Sequence, residues 1–168
     1  FYRFKRIKEK YVDIVYLGAK RKKDLLEVGG FDESFAVNED YELNYRLRAK
    51  GGKILFSPKI RSEYFVRPSF IKLIRQYIRY GFWKVKTLKK HPKSLAIRQL
   101  VAPLFVLSLI VSAILLLLGY PIFLQGIVVA YILAFIFFAF NLLKIKELHY
   151  LPIFFILALI VHLSWGSG

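Results

Sequence analysis

Residues 29–60 read GGFDESFAVNEDYELNYRLRAKGGKILFSPKI. Asn38 stands where a helix N-cap belongs, and Glu39, Asp40 and Glu42 crowd the first turn behind it. Leu43, Leu47 and the closing Gly51 complete the helix, and Gly51-Gly52 turns the chain into a strand over 53–56 (KILF). Upstream, Gly29-Gly30 stops a short helix over 20–28 with Leu25, Leu26 and Val28 turned inward. Before that, 12–17 (VDIVYL) is β-branched and apolar and predicts a strand ending at Gly18. Residues 1–66 therefore read as an alternating α/β unit.

Downstream the pattern changes. Residues 69–90 (SFIKLIRQYIRYGFWKVKTLKK) place Phe70, Ile74, Tyr77, Gly81, Val85 and Leu88 at three- and four-residue spacing. Lys72, Arg75, Arg79, Lys86 and Lys90 form a second stripe, so 67–98 reads as a basic amphipathic helix and linker on an anionic membrane surface. Residues 99–168 are the apolar part. Segments 101–119 and 121–143 carry no charge and are long enough to cross a bilayer. A third run, 151–165, is shorter and contains His162; it predicts a span or a half-buried segment. Basic residues before the first span, and Lys144 and Lys146 after the second, place 1–98 and the 144–150 loop in the cytoplasm.

The 168 residues carry a net charge of +16 yet are 57% hydrophobic, with 16 Phe and 11 Tyr. A disordered polycation is excluded by that apolar mass, and a soluble nucleic-acid binder is disfavoured. The charge is segregated: 64–98 hold ten Lys/Arg and no acid, whereas 99–168 have a net charge of only +1. With no Cys there is neither a disulfide framework nor a thiolate site. With no Met, the chain reads as a piece lacking its natural start, and no signal peptide is visible.

Two groupings could carry chemistry. A carboxylate at Asp40 would face the positive end of a helix macrodipole and unpaired N–H groups, which favour the ionised form a general base needs. Acids at a helix start are, however, most often capping and solubility residues. Gln76, Arg79, Tyr80 and Trp83 present an amide, a guanidinium and two ring faces within two helical turns. Arginine suits a pyrophosphate because its planar fork donates two hydrogen bonds at once. An interfacial helix with snorkelling cations and aromatic anchors presents the same pattern. His91, His149 and His162 are too widely spaced to predict a metal site, and no Asp-x-Asp occurs.

Taken together, the GGFDE loop at 29–33, the acidic pair leading into ELNYRL at 39–47 and the GGKI…SPKI strand at 51–60 resemble family 2 inverting glycosyltransferases. The closest resemblance is to membrane-bound enzymes of the succinoglycan-biosynthesis type. RPSFIKLIRQYIRYGFWKV and the closing HLSWGSG extend it over nearly the whole chain. The resemblance implies the second half of a GT-A type, Rossmann-like nucleotide-sugar transferase domain, followed by the interfacial helix and a transmembrane region of two to three helices. It places the acidic pair on Glu39-Asp40, with Asp40 as general base. It also matches Gln76–Tyr80 to a Gln-x-x-Arg-Trp motif, so Arg79 would face the diphosphate and Tyr80 would stack near the acceptor. Trp83 would add to that substrate surface, and Gly18-Ala19 would line the acceptor side.

The implied reaction moves a sugar from a nucleotide-sugar donor to a lipid-linked or growing exopolysaccharide acceptor, at the cytoplasmic face of a plasma membrane the enzyme crosses several times. Its partners would be donor, acceptor and membrane lipids, with no nucleic acid. Tyr80 stands where polymerising relatives carry Trp, so single-sugar transfer is expected at least as much as processive polymerisation. The resemblance further implies Mg²⁺ or Mn²⁺ in the full-length enzyme, held largely by an Asp-x-Asp upstream of this sequence. The chain alone is accordingly expected to be inactive. The rival reading is a non-catalytic membrane protein whose polybasic helix binds anionic lipid or a partner.

Overall fold

A computed structural model describes residues 8–15, 18–60, 69–142 and 145–168. They fall into two compact units, one built from residues up to 66 plus 83–94 and the other from 67–82 plus 95–168.

In the first unit, β1 (Lys10–Val12) pairs antiparallel with β2 (Ile54–Phe56), aligning Tyr11 with Leu55 and Val12 with Ile54. Between them lie α1 (Lys22–Glu27) and α2 (Glu39–Ala49). The α/β expectation therefore holds in part, since the described residues are mostly helical and their sheet has two short strands.

The strand expected over 12–17 is corrected to Lys10–Val12, with Tyr16 and Leu17 outside the described residues. The reason lies in its partner. Gly51, at φ +87°, and Gly52 are still turning out of α2, so β2 begins only at Ile54. The ladder ends at the Val12–Ile54 pair, and the carboxylate of the next residue, Asp13, meets Arg48 at 3.4 Å. Leu26 is also corrected: it is 65% exposed, because a six-residue helix that turns Leu25 and Val28 inward must point Leu26 away. Gly29 and Gly30, at φ +83° and +71°, end α1 where the sequence predicts.

Asn38 does precede α2, but in the left-handed region at φ 65° and with no side-chain capping bond. Asparagine tolerates that conformation better than most residues, and here it provides a sharp entry into the helix. Leu43 and Phe35 form the apolar centre of the unit.

α3 (Phe70–Lys90) is one continuous helix of 21 residues, as the periodicity predicts. Its first part, to Phe82, belongs to the second unit, and the rest to the first. α4 (Val101–Leu117), α5 (Ile122–Leu142) and α6 (Leu151–Ser167) make up the remainder of the second unit. α4 packs on both α5 and α6. Phe105 stacks on Tyr131 at 4.5 Å, and Phe135 meets Phe155 edge-on at 4.9 Å.

Small residues bring the backbones close. A Cβ on Gly166 would lie 2.4 Å from the Ala102 carbonyl oxygen, and one on Gly81 2.3 Å from that of Trp165. Two helices, 122–141 and 147–167, are long and apolar enough to cross a membrane by length and composition. The third apolar run thus gains length from the 3₁₀ turn that precedes it. α4, at 17 residues, spans about 25 Å at 1.5 Å per residue.

Candidate active site

Asp40 sits half-buried in the first turn of α2, and its Oδ1 accepts the Tyr41 backbone N–H at 2.7 Å. Glu39 beside it is exposed. What holds this turn in place is Glu42, a residue the sequence suggests only as a helix-start acid. Its side chain has no solvent exposure. Arg46 donates to it from Nε at 2.9 Å and Nη2 at 2.7 Å, and His91 Nε2 lies 2.8 Å from Oε1. An ionised carboxylate can only accept, so that imidazole nitrogen carries the hydrogen. The Lys90 ammonium is 3.4 Å away. Burial alone would raise the Glu42 pKa, but the hydrogen bonds from Arg46 and His91 and the charges of Arg46 and Lys90 outweigh it and lower it.

Arg46 carries this link onward, donating to the backbone carbonyls of Val28 and Gly30. Lys50, one turn later, donates to the Glu27 carbonyl at 2.7 Å. One stripe of α2 therefore fixes the glycine turn, whose carbonyls α1 leaves without helical partners.

The loop that follows is tied from the other side by α3. Lys90 pairs with Asp32, and Lys86 donates to the Ser34 carbonyl. The Lys90 bond, with further bonds from Ser34, holds the Asp32 carboxyl far below the usual carboxylate range. Phe35 is buried against Trp83 with ring centres 5.9 Å apart, and the Lys86 ammonium lies 4.6 Å from the Trp83 ring. Lys84 is itself buried, 3.3 Å from the Tyr41 ring centre, and the Tyr41 hydroxyl donates to the Ser94 carbonyl at 2.7 Å.

These contacts correct the expectation that Lys86 and Lys90 belong to a lipid-facing stripe. Both are engaged by the 32–35 loop, a pairing across more than fifty residues that helical periodicity does not encode.

The expected substrate residues separate. Trp83 joins the first unit. Gln76, Arg79 and Tyr80 belong to the second, where the Gln76 amide donates to the Tyr80 hydroxyl at 2.7 Å. Tyr80 also meets Tyr77 edge-on at 5.8 Å. Arg79 lines a cavity of about 410 Å³ with Arg75, Ile78, Phe82, Ser167 and Gly168. Gly18 and Ala19 lie in the connection into α1. There a Cβ on Gly18 would come 2.7 Å from the Val15 side chain, which would have to shift to admit a larger residue.

Asp32, Glu42 and His91 converge, but on the cationic ends of Lys90 and Arg46, which supply the counter-charge a metal would. Among the described residues no group of three or more His, Cys, Asp or Glu could hold a metal ion. These residues do not fit a divalent cation.

Of the residues that build this site, the Glu42–Arg46 pair has the four-residue helical spacing that could have revealed it. His91, 49 positions from Glu42, has no such signal.

The model of glycosyl transferase family group 2 matches residues 19–161, and the chain belongs to that family. It is 32% identical over 143 residues to succinoglycan biosynthesis protein ExoA of Rhizobium meliloti (strain 1021), covering 84% of this chain and 42% of that protein. Over 60 residues it is 38% identical to a dolichyl N-acetyl-alpha-D-glucosaminyl phosphate 3-beta-D-2,3-diacetamido-2,3-dideoxy-beta-D-glucuronosyltransferase of Methanococcus voltae, covering 36% of this chain and 19% of that enzyme. The chain thus spans less than half the length of either relative. No solved structure gives a significant match.

Proposed function

We propose that this chain serves the transfer of a sugar, with inversion, from a nucleotide-sugar donor to a lipid-linked or growing glycan acceptor. Asp40 takes the proton of the acceptor hydroxyl as its oxygen attacks the anomeric carbon. The bond from that carbon to the donor phosphate breaks, the glycosidic bond forms on the opposite face, and the nucleoside diphosphate leaves. The observation that carries this reading is the half-buried Asp40 on a helix whose first turn is anchored, two residues later, by fully buried Glu42. A base must be held within hydrogen-bond reach of its proton, and a clamped helix start does that.

Glu39 adds negative charge beside the base. Gly18-Ala19 and Trp83 shape the acceptor side of the first unit, and Gln76, Arg79 and Tyr80 form a phosphate- and sugar-binding surface on α3. The apolar helices of the second unit anchor the protein in the plasma membrane, with the basic residues before Val101 and the first unit on the cytoplasmic side.

The test is Asp40→Asn in the full-length protein, assayed by incorporation of radiolabelled sugar from its nucleotide into lipid-extractable product. The substitution keeps size and hydrogen bonding but removes the base. Activity is expected to fall by a factor of about 10² to 10⁴, with the exchange protection of α2 unchanged. Wild-type turnover by a folded Asp40→Asn protein refutes the assignment.

A further inference from the structure

The cavity at Arg75 and Arg79 has a lining whose chemistry is selective. The two guanidiniums stand one helical turn apart on α3, with Ile78 and Phe82 as apolar walls and Ser167 and Gly168 at the end of α6. Among the described residues neither guanidinium has an ion-pair partner, and residues 64–98 contain no acid to supply one. The one lining hydroxyl, on Ser167, already donates to the Leu163 carbonyl at 2.7 Å. Two adjacent forks of this kind suit the oxygens of a phosphate or diphosphate.

The remaining walls decide what that phosphate is attached to. Among the described lining residues a nucleoside's ribose hydroxyls and base amides meet no further polar side chain, and groups seated against them would lose their water without recompense. A hydrocarbon chain loses nothing against Ile78 and Phe82, which are 42% and 61% exposed and so can lie along it. α6, whose end lines one side of this open cavity with Ser167 and Gly168, belongs to an apolar segment long enough to cross a membrane.

We infer that this cavity binds a phosphate group carried on a hydrophobic chain, with Arg75 and Arg79 gripping the phosphate and Ile78 and Phe82 receiving the first part of the chain. Arg79 then serves the lipid end of the reaction rather than the nucleotide, and Arg75 joins it as a residue no motif singles out. The inference rests on the membrane reading of the apolar helices and deepens that of a lipid-linked acceptor, but it is independent of Asp40.

Binding can be read without turnover. Full-length protein in phosphatidylcholine nanodiscs is titrated with a radiolabelled polyprenyl phosphate, and phosphatidylglycerol, inorganic phosphate and a nucleoside diphosphate serve as competitors. The double variant Arg75→Gln/Arg79→Gln should bind the lipid at least tenfold more weakly. Arg75→Lys/Arg79→Lys should fall between it and wild type, because charge remains and the fork is lost. Lys89→Gln/Lys93→Gln removes the same charge elsewhere and should stay within twofold.

Competition by phosphatidylglycerol at equal concentration supports the site and names bilayer lipid as its occupant; preference for the polyprenyl phosphate supports it and names the acceptor. Unchanged binding by the double glutamine variant overturns the inference, as does an equal loss in the Lys89/Lys93 control. Displacement of the lipid by the nucleoside diphosphate or inorganic phosphate at equal concentration overturns it too. Asp40→Asn should bind lipid normally, so loss of transfer and loss of binding are separable.

Discussion

Glu42→Gln removes one charge from the point where the first unit is tied together. The wild-type carboxylate receives Arg46 at 2.7 and 2.9 Å and His91 at 2.8 Å, with Lys90 at 3.4 Å. A glutamine offers one accepting oxygen and one NH₂, so whichever way it turns, its NH₂ faces donors. Breaking a fully buried pair by removing one partner costs about 3–5 kcal/mol. The Arg46 and Lys90 side chains are 20% and 45% exposed and can recruit water, which places the cost near the lower end, about 3 kcal/mol.

The cost should appear locally. Arg46 would release its hold on the Val28 and Gly30 carbonyls, and the turn after α1 would open more often. Hydrogen exchange of the full-length protein in detergent reads this directly at the Gly30 amide, bonded to Leu25 at 2.8 Å, and at the Phe35 amide, bonded to Asp32 at 3.0 Å. A change of about 3 kcal/mol in local opening speeds exchange on the order of a hundredfold. A parallel Arg46→Met variant and the double variant should show coupling, the double costing less than the sum of the two. Exchange at Gly30 and Phe35 within twofold of wild type in a folded Glu42→Gln protein refutes the anchoring role.

The same cluster defines a pH window. Glu42 is held below the ordinary value of 4.5, so its contribution is present above that pH and is lost as pH falls through the folded value. Lys90 is held above its ordinary 10.5, chiefly by Asp32, so its contribution is present below that pH and is lost as pH rises through the folded value. Near-ultraviolet circular dichroism of the protein should therefore be flat from roughly pH 5 to pH 10; a steady decline across the neutral range contradicts the cluster. In the second unit, Gly81→Ala puts a Cβ 2.3 Å from the Trp165 carbonyl oxygen, whereas Gly126→Ala meets nothing within 4 Å. Forcing α3 and α6 apart should cost about 1–3 kcal/mol and lower the thermal midpoint in detergent by several degrees. Equal midpoints for the two variants would show that the close approach is not a constraint.

Much of the local structure was legible along the chain. Gly29-Gly30 and Gly51 end helices because those positions need positive φ, which glycine adopts without penalty. The 21-residue α3 and the uncharged α5 follow from side-chain periodicity and length alone. The family motifs, read in order, led to the correct family, and Asp40 does occupy the first turn of α2.

Tertiary structure decided which charges matter. Glu39, Asp40 and Glu42 look alike as acids at a helix start, yet only Glu42 turns into the interior to meet Arg46 and His91. Lys86 and Lys90 share a stripe with Arg75 and Arg79, yet the first two are held by the loop around Asp32 and the second two line a cavity. The register of β1 was likewise set by its pairing with β2, more than forty residues later. Helix starts, stops and faces depend on neighbours within about four residues and are written locally. Ion-pair partners and strand registers depend on segments brought together across about fifty residues, and burial then decides which of several equal charges acts as an anchor and which stays at the surface.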